Sequence, residues 1–134
     1  MAIFRFGGRA MPKKVLVIDD STVLRNIIVF NLKKAGYEIA EAEDGVDALE
    51  KMQNFHPDIL ILDLMMPKLD GFGVLKEKAK MEVFKETPAI ILTAKGGEDD
   101  RENALNLGAI DVLTKPFSPK QLLECVKKVV GDAL

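Results

Sequence analysis

The sequence lacks the features that mark secreted, membrane-spanning and nucleic-acid-binding proteins. Its 134 residues include a single cysteine, Cys125, which excludes an internal disulfide and favours a reducing compartment. No apolar run is long enough to span a bilayer, and the first ten residues contain no apolar segment typical of a secretory signal. The net charge is -2 and no run of lysine or arginine is longer than two residues, which argues against nucleic-acid binding. We therefore expect a cytoplasmic protein that binds neither nucleic acid nor a membrane.

The composition that is present indicates one globular domain. The chain is 48% hydrophobic and 30% charged, and its length allows one hydrophobic core but not two. The first regular pattern begins at Lys13, so we interpret residues 1–12 as an extension that precedes the domain. The sequence leaves open a second interpretation, in which Ile3, Phe4 and Phe6 pack on the domain or on a partner.

Short apolar runs alternate with helical patterns along the rest of the chain. The runs predict strands at residues 15–19, Glu38–Ala42, Ile59–Asp63, Ala89–Thr93 and Asp111–Thr114. Helical patterns lie between and after them, with Gly36 suited to end the first helix and Ser118 suited to cap the last. This alternation is typical of an α/β protein with a doubly wound, five-stranded parallel sheet and five helices that cover both faces.

Charged and hydroxyl side chains stand at the ends of several predicted strands. Asp19 and Asp20 end the first strand, Asp63 ends the third, Thr93 ends the fourth and Lys115 follows the fifth. The C-terminal ends of parallel strands meet at one edge of the sheet, where open α/β folds bind their ligands. We therefore expect three carboxylates, a hydroxyl and an ammonium group to lie close together.

This set of groups suits phosphoryl transfer assisted by a divalent cation. A carboxylate can attack phosphorus to form an acyl phosphate, and Mg²⁺ prefers the oxygen ligands that this edge offers. A lysine supplies further positive charge, and a threonine hydroxyl can donate to a phosphoryl oxygen. Each residue alone has an ordinary explanation: Asp20 can cap a helix, and Thr93 and Lys115 can be simple strand-end residues. Their joint arrangement is what favours a phosphoryl site.

Four motifs at the ends of the predicted strands resemble one protein family. They are Val-Ile-Asp-Asp-Ser at 17–21, Leu-Asp-Leu-Met-Met-Pro-Lys-Leu-Asp-Gly at 62–71, Leu-Thr-Ala-Lys at 92–95 and Thr-Lys-Pro-Phe at 114–117. Together and in this order, they are similar to the receiver domain of bacterial two-component response regulators, the CheY-like family. The resemblance covers residues 13–134, which we expect to form the receiver domain. It implies a flavodoxin-like sheet with strand order 2-1-3-4-5.

The resemblance also implies a role for each residue of the site. Asp63 would be the phosphoacceptor, Thr93 would donate to the phosphoryl group, and Lys115 would pair first with the acids and then with a phosphoryl oxygen. The ligands of Mg²⁺, or of Mn²⁺ in its place, would be Asp19, Asp20, Asp63 and the backbone carbonyl of Met65.

Further positions would shape the site and its switch. Ala94 would leave room for the phosphoryl group, Gly71 would let the loop after Asp63 turn back, and the peptide bond before Pro116 would be cis. The family usually carries an aromatic residue three positions before the lysine, where this chain has Val112. We therefore expect another side chain to report activation, or a weaker coupling to the face formed by the fourth and fifth helices and the fifth strand.

The function that the resemblance implies is a signalling phosphoacceptor and not a turnover enzyme. A sensor histidine kinase would phosphorylate Asp63, and an unidentified output protein would recognise the altered surface. The domain would catalyse its own phosphorylation and a slow autodephosphorylation, because Met65 cannot orient a hydrolytic water and Lys95 does so poorly.

Three other functions are weighed against this one. A Mg²⁺-dependent phosphohydrolase with an aspartyl phosphate usually carries Asp-x-Asp after its first strand, whereas Asp19 and Asp20 are adjacent. A flavin or nucleotide binder would need a phosphate loop rich in glycine, serine or threonine after that strand. A degenerate receiver that acts only as a binding module would lack part of the site, and every expected residue is present.

Overall fold

The computed structural model describes the backbone of residues 5–6, 9–94 and 97–134, and the side chains of residues 11–94 and 97–134. The described residues form short strands and helices that alternate from Lys14 onward. The elements are β1 Arg5–Phe6, β2 Arg9–Ala10, β3 Lys14–Ile18, α1 Thr22–Lys34, β4 Glu38–Ala42, α2 Gly45–Phe55, β5 Ile59–Asp63, α3 Gly71–Ala79, β6 Ala89–Thr93, α4 Glu98–Asn106, β7 Asp111–Thr114 and α5 Pro119–Val130.

The main sheet contains five strands in the order β4-β3-β5-β6-β7, and every neighbouring pair is parallel. Counted from β3, this is the order 2-1-3-4-5 that the resemblance implies, so the predicted flavodoxin-like fold is confirmed. Leu16 of the central strand pairs with Ala40 on one side and Leu60 on the other. The strand order reverses once, between β3 and β5, and such a reversal leaves a crevice at the C-terminal edge of the sheet.

Within residues 1–12, β1 and β2 form a small antiparallel pair that is separate from the main sheet. The side chains of Ile3, Phe4 and Phe6 lie outside the described residues. The interpretation of this segment as an extension therefore stays a prediction.

Both faces of the main sheet are buried under helices, because successive residues of a strand point to opposite faces. Leu16 and Ile18 contribute to a core shared with α2 and α3, whereas Val15 and Val17 contribute to a core shared with α1 and α5. All four side chains have no exposed surface. Burial of a side chain of this size contributes roughly 1.5–3 kcal/mol, so the two cores fix the strands and the edge they present.

Helix α1 keeps part of its apolar surface outside the core. Ile28, Val29 and Leu32 are buried against the sheet, while Val23 and Phe30 are 72% and 66% exposed. Ser21 caps the helix by accepting a hydrogen bond from the Leu24 N–H at 3.3 Å. The helix therefore presents an apolar outer side that packing does not explain.

Among the residues that the structure describes, no helix has the length and apolar character that crossing a bilayer requires.

Candidate functional site

Four strand ends bring the predicted site residues to one edge of the sheet. Asp19 follows β3, Asp63 ends β5, Thr93 ends β6 and Lys115 follows β7, and these strands are consecutive neighbours in the sheet. Asp19, Asp63 and Thr93 are buried, although all three are polar. Buried polar groups normally have partners, so three of them together at this edge of the sheet indicate a functional site.

Three carboxylates converge in this crevice. One carboxylate oxygen from each of Asp19, Asp20 and Asp63 lies within 4.8 Å of the others. Asp19 Oδ1 accepts a hydrogen bond from the Ser21 N–H at 2.9 Å, but its Oδ2 is buried and has no hydrogen-bond partner. A buried carboxylate oxygen without a hydrogen bond destabilises the folded state, and the mutual repulsion of three acids adds to this. The donor set is all oxygen, which fits a hard cation such as Mg²⁺.

Lys115 supplies positive charge opposite these acids. Its Nζ lies 3.3 Å from Asp63 Oδ1 and 3.8 Å from Asp19 Oδ2. Burial and the charge of Asp19 raise the pKa of Asp63 above its ordinary value, and Lys115 opposes this rise without cancelling it. One ammonium group therefore leaves the cluster short of positive charge.

The loop after β5 wraps closely around Asp63. The Met65 N–H donates to Asp63 Oδ1 at 3.4 Å, and the Gly71 N–H donates to the Leu64 carbonyl at 2.9 Å. A methyl group on Gly71 would lie 2.7 Å from the Asp63 carbonyl oxygen, so the return of the loop requires glycine here. The Met65 side chain is 69% exposed and reaches into solvent. The ligand role expected for the Met65 carbonyl stays a prediction.

Sequence reasoning missed a contact that holds this loop from outside. Lys68, which adopts a positive φ of 68°, places its Nζ 3.4 Å from Asp44 Oδ2 at the N-terminus of α2. Asp44 also caps that helix, since its Oδ1 accepts from the Asp47 N–H at 2.8 Å. These interactions hold the pKa of Asp44 below its ordinary value, and the hydrogen bond from the Asp47 N–H has the largest effect. The pair ties the loop between β5 and α3 to α2.

Arg25 is a second residue that the sequence did not single out. Its Nη1 donates to the Asp19 carbonyl at 2.6 Å, and its Nε donates to Glu41 Oε1 at 3.0 Å. The guanidinium therefore joins the end of β3 to the end of β4 and contacts the backbone of Asp19, one of the three acids. An arginine one turn into the helix that follows an acidic pair is the signal that could have revealed it.

The opposite side of the crevice contains the expected switch positions. Thr93 is 4% exposed, and the neighbouring Ala94 is exposed and small. The Lys115–Pro116 peptide bond is cis, as the resemblance implies, and the Lys115 N–H donates to the Thr93 carbonyl at 2.7 Å. Val112 is buried in the core on the α4 side of the sheet. Lys95 lies outside the described residues.

The arrangement can therefore bind a hard cation and hold an anionic group beside a carboxylate. Asp63 lies beside Asp19 and Asp20 and 3.3 Å from Lys115 Nζ, and Thr93 lies at the end of the adjacent strand. Arg25 and the Lys68–Asp44 pair do not enter the crevice; they hold the segments that form it.

Comparison with known proteins identifies relatives along most of the chain. The sequence model of the response regulator receiver domain matches residues 15–127. The alkaline phosphatase synthesis transcriptional regulatory protein PhoP of Bacillus subtilis is 41% identical over 120 residues, which is 90% of this chain and 49% of PhoP. The probable transcriptional regulator ycf27 of Cyanophora paradoxa is 48% identical over 110 residues, 82% of this chain and 45% of ycf27. The chain thus spans about half the length of these curated relatives.

Solved structures agree over almost their whole length. The chemotaxis protein CheY4 of Vibrio cholerae superposes with a TM-score of 0.83 at 37% identity, covering 90% of this chain and 99% of CheY4. The receiver domain of a Pseudomonas aeruginosa sensor histidine kinase superposes with a TM-score of 0.82 at 30% identity. The match covers 90% of this chain and 99% of that receiver domain. That structure is described as having a magnesium ion coordinated in its active-site cleft.

Proposed function

The chain belongs to the receiver-domain family of two-component response regulators, and from this premise we propose that Asp63 accepts a phosphoryl group from a sensor histidine kinase. The observation that carries the assignment is the surroundings of this one carboxylate. Asp63 is 4% exposed, ends a central strand and lies 3.3 Å from Lys115 Nζ inside a cluster of three acids. No other described carboxylate combines these features.

The transfer exchanges one bond to phosphorus for another. An Asp63 carboxylate oxygen attacks phosphorus, the P–N bond to the donor histidine breaks, and the imidazole leaves with the electron pair. Lys115 Nζ lies close enough to Asp63 that it can exchange this ion pair for a hydrogen bond to an oxygen of the transferred group. The Thr93 hydroxyl donates to a second oxygen, and Ala94 leaves the entrance open. Together these groups hold the acyl phosphate that forms.

We propose that Mg²⁺, or Mn²⁺ in its place, is held by Asp19, Asp20, Asp63 and the Met65 carbonyl. When bound, the cation neutralises the charge of the acids and of the group being transferred. The support from this chain is the convergence of three acids and the buried Oδ2 of Asp19, which accepts no hydrogen bond. Asp19 lies deepest, while Asp20 is exposed at the rim and accessible to the ion and its waters.

We further propose that the domain is a switch and not a turnover enzyme. Its catalytic act is on itself: it promotes transfer to Asp63 and loses the phosphoryl group slowly. Met65 presents an exposed thioether beside the site, and a thioether cannot orient a water for hydrolysis. The output partner would recognise the surface that changes when Asp63 is phosphorylated. No observation favours the phosphohydrolase or binding-module alternatives.

An apolar face beside the site supports a kinase as the partner. Helix α1 begins two residues after Asp20, and Val23, Ile27 and Phe30 lie on its exposed side at helical spacing. An apolar cavity of about 270 Å³ lies between α1 and α5. A helical partner that covered this face would stand at the rim of the crevice, where a donor histidine must reach Asp63.

Labelling with a small phosphodonor tests the assignment of Asp63. With Mg²⁺ and acetyl phosphate, the intact protein should gain the mass of one phosphoryl group, and Asp63→Asn should gain none. Asp70→Asn is a matched control, because Asp70 is also an aspartate near this edge but caps α3 at the surface. A label that survives Asp63→Asn would refute the assignment, and a phosphoryl half-life of seconds would refute slow autodephosphorylation.

A second experiment separates the kinase face from the chemistry. Phe30→Lys should lose transfer from an autophosphorylated histidine kinase that labels the wild type, yet keep labelling by acetyl phosphate, since Phe30 is 66% exposed and outside the crevice. Val83→Lys is the control, because Val83 is 70% exposed in the segment between α3 and β6. Equal loss with both donors would contradict a docking role for α1.

A further inference from the structure

Helix α4 is held to the rest of the domain by few contacts. All nine of its residues are described, and Ala104 is the one among them that is buried. Its N-cap residue is Gly97, which offers no side-chain hydrogen bond to the helix. Few buried apolar contacts are the physical mark of an element that shifts at low free-energy cost. The polar contacts that remain therefore decide where this helix lies.

The first contact to consider is a close approach between the start of the helix and the site. A methyl group on Gly97 would lie 3.3 Å from Thr93 Oγ1, so the start of α4 lies directly beside the threonine hydroxyl. The Arg101 N–H donates to the Gly97 carbonyl at 2.9 Å, which places Arg101 one turn along the same segment. A displacement of Thr93 toward Asp63 would remove a neighbour of Gly97, at the start of the turn that includes Arg101.

The second contact is with β7. Arg101 Nη1 donates to the Val112 carbonyl at 3.0 Å, and we call this hydrogen bond the latch. The preceding residue, Asp111, accepts from the Val112 N–H at 2.8 Å and from Cys125 Sγ of α5 at 3.2 Å. A short strand of four residues therefore carries polar contacts to both flanking helices. A movement of Arg101 would therefore alter the surface formed by α4, β7 and α5.

We propose that Arg101 is a positioning residue whose latch holds α4 on β7 while Asp63 is unphosphorylated, and whose release couples Thr93 to that surface. This inference rests on the proposed function of Asp63. The Val112 side chain is buried and apolar and cannot itself form a hydrogen bond that reports the state of Thr93. Its carbonyl can, through Arg101. The hydrogen bond from Arg101 to the Val112 carbonyl thus provides a polar link at a position whose side chain cannot form one.

Linkage gives the proposal a measurable consequence. If the latch forms only in the resting state, its removal raises the population of the active state and tightens binding of any ligand that prefers that state. One hydrogen bond of this kind corresponds to about 3- to 10-fold in affinity. Mg²⁺ binding to the three acids should be unchanged, because Arg101 does not contact them.

The experiment measures binding of beryllofluoride, a phosphoryl analogue, in saturating Mg²⁺ by calorimetry. Arg101→Ala should bind it about 3- to 10-fold more tightly than the wild type. Arg101→Lys, which keeps the charge and one donor group, should fall between them. Glu102→Ala is the matched control, since it truncates the adjacent exposed residue of the same helix and should leave the affinity unchanged. Circular dichroism establishes that each variant is folded.

A second readout uses the wild type alone. The amide signals of Gly97 and Val112 and the Arg101 side-chain Nε–H signal should shift together in NMR spectra when beryllofluoride is added. Unchanged or weaker affinity in Arg101→Ala, or an Arg101 signal that does not respond in the wild type, would overturn the proposal. Failure of the wild type to bind beryllofluoride would instead refute the proposed function, so the two failures are distinct.

Discussion

At the scale of single residues, the site depends on how each buried charge is held. Asp19 has no exposed surface, one carboxylate oxygen with a backbone partner and one without. Its backbone is held by Arg25, which lies outside the crevice. Groups that orient metal ligands from behind affect the metal site without touching the ion.

Arg25→Ala should weaken Mg²⁺ binding by about 10-fold or more, because the Asp19 carbonyl and the end of β3 lose their guanidinium donor. Isothermal titration calorimetry measures the Kd, and thermal unfolding in EDTA measures stability separately. Lys51→Ala is the control, since Lys51 donates to the Glu41 carbonyl at 2.6 Å and loses a similar surface bond. A lower Tm with an unchanged Kd for Mg²⁺ would show that Arg25 stabilises the fold but does not support the metal site.

Cys125 should make stability fall at alkaline pH. Burial first, and then the hydrogen bond to Asp111, raise its pKa to about 12. The unfolded thiol ionises near its ordinary pKa of roughly 8.5 while the folded thiol stays protonated, so this contribution is complete below that pH and is lost as pH rises toward 12. In urea unfolding from pH 7 to 10, Cys125→Ala should lack this decline. Parallel curves for the two proteins would contradict the raised pKa.

At the scale of elements, helices and loops differ in how far sequence patterns describe them. The cap of α5 is confirmed: Ser118 accepts from the Gln121 N–H at 3.1 Å, and Pro119 opens the helix. Helix α1 shows the limit of such patterns, because its apolar residues divide between the core and solvent. Apolar character predicts that a helix has a core-facing side, but not which extra apolar residues stay exposed.

Gly45→Ala should destabilise the domain by about 2–3 kcal/mol, because the added methyl group would overlap the Leu69 carbonyl oxygen where α2 meets the β5–α3 loop. Gly73→Ala is the matched control, since its methyl group would meet side-chain atoms and no backbone, namely Cδ1 and Cγ of Leu69 and Oδ1 of Asp70. Urea unfolding measures both. If both variants were destabilised equally, the close backbone contact between α2 and this loop would not be the reason for glycine at position 45.

At the scale of the whole molecule, the fold brings distant residues to one edge. The alternation of strands and helices predicted the five-stranded parallel sheet, and the structure confirms its order. The acids that meet in the crevice come from the ends of β3 and β5, which are separated in sequence by α1, β4 and α2. Their mutual repulsion destabilises the folded state, and a bound cation would relieve it.

Mg²⁺ should therefore raise the Tm with concentration. A concentration 100-fold above the Kd corresponds to about 2.7 kcal/mol of added stability. Asp20→Asn should reduce this rise and stabilise the protein in EDTA, because it removes one of the repelling charges at the rim. Asp99→Asn, which changes an exposed acid in the first turn of α4, should keep the wild-type rise of the Tm with Mg²⁺. The absence of any Mg²⁺-dependent rise in the Tm would refute the metal site.

The sequence by itself determined the elements, their order and the residue types at the strand ends, because periodicity and strand-end position are local properties of the chain. Strand-end position alone predicts that Asp19, Asp63, Thr93 and Lys115 share one edge, although their individual roles stay predictions. Only the tertiary structure revealed the Asp19 oxygen that accepts no hydrogen bond, the support from Arg25 and the Arg101–Val112 hydrogen bond. Those depend on side chains from different elements meeting at ångström distances, which no local pattern encodes.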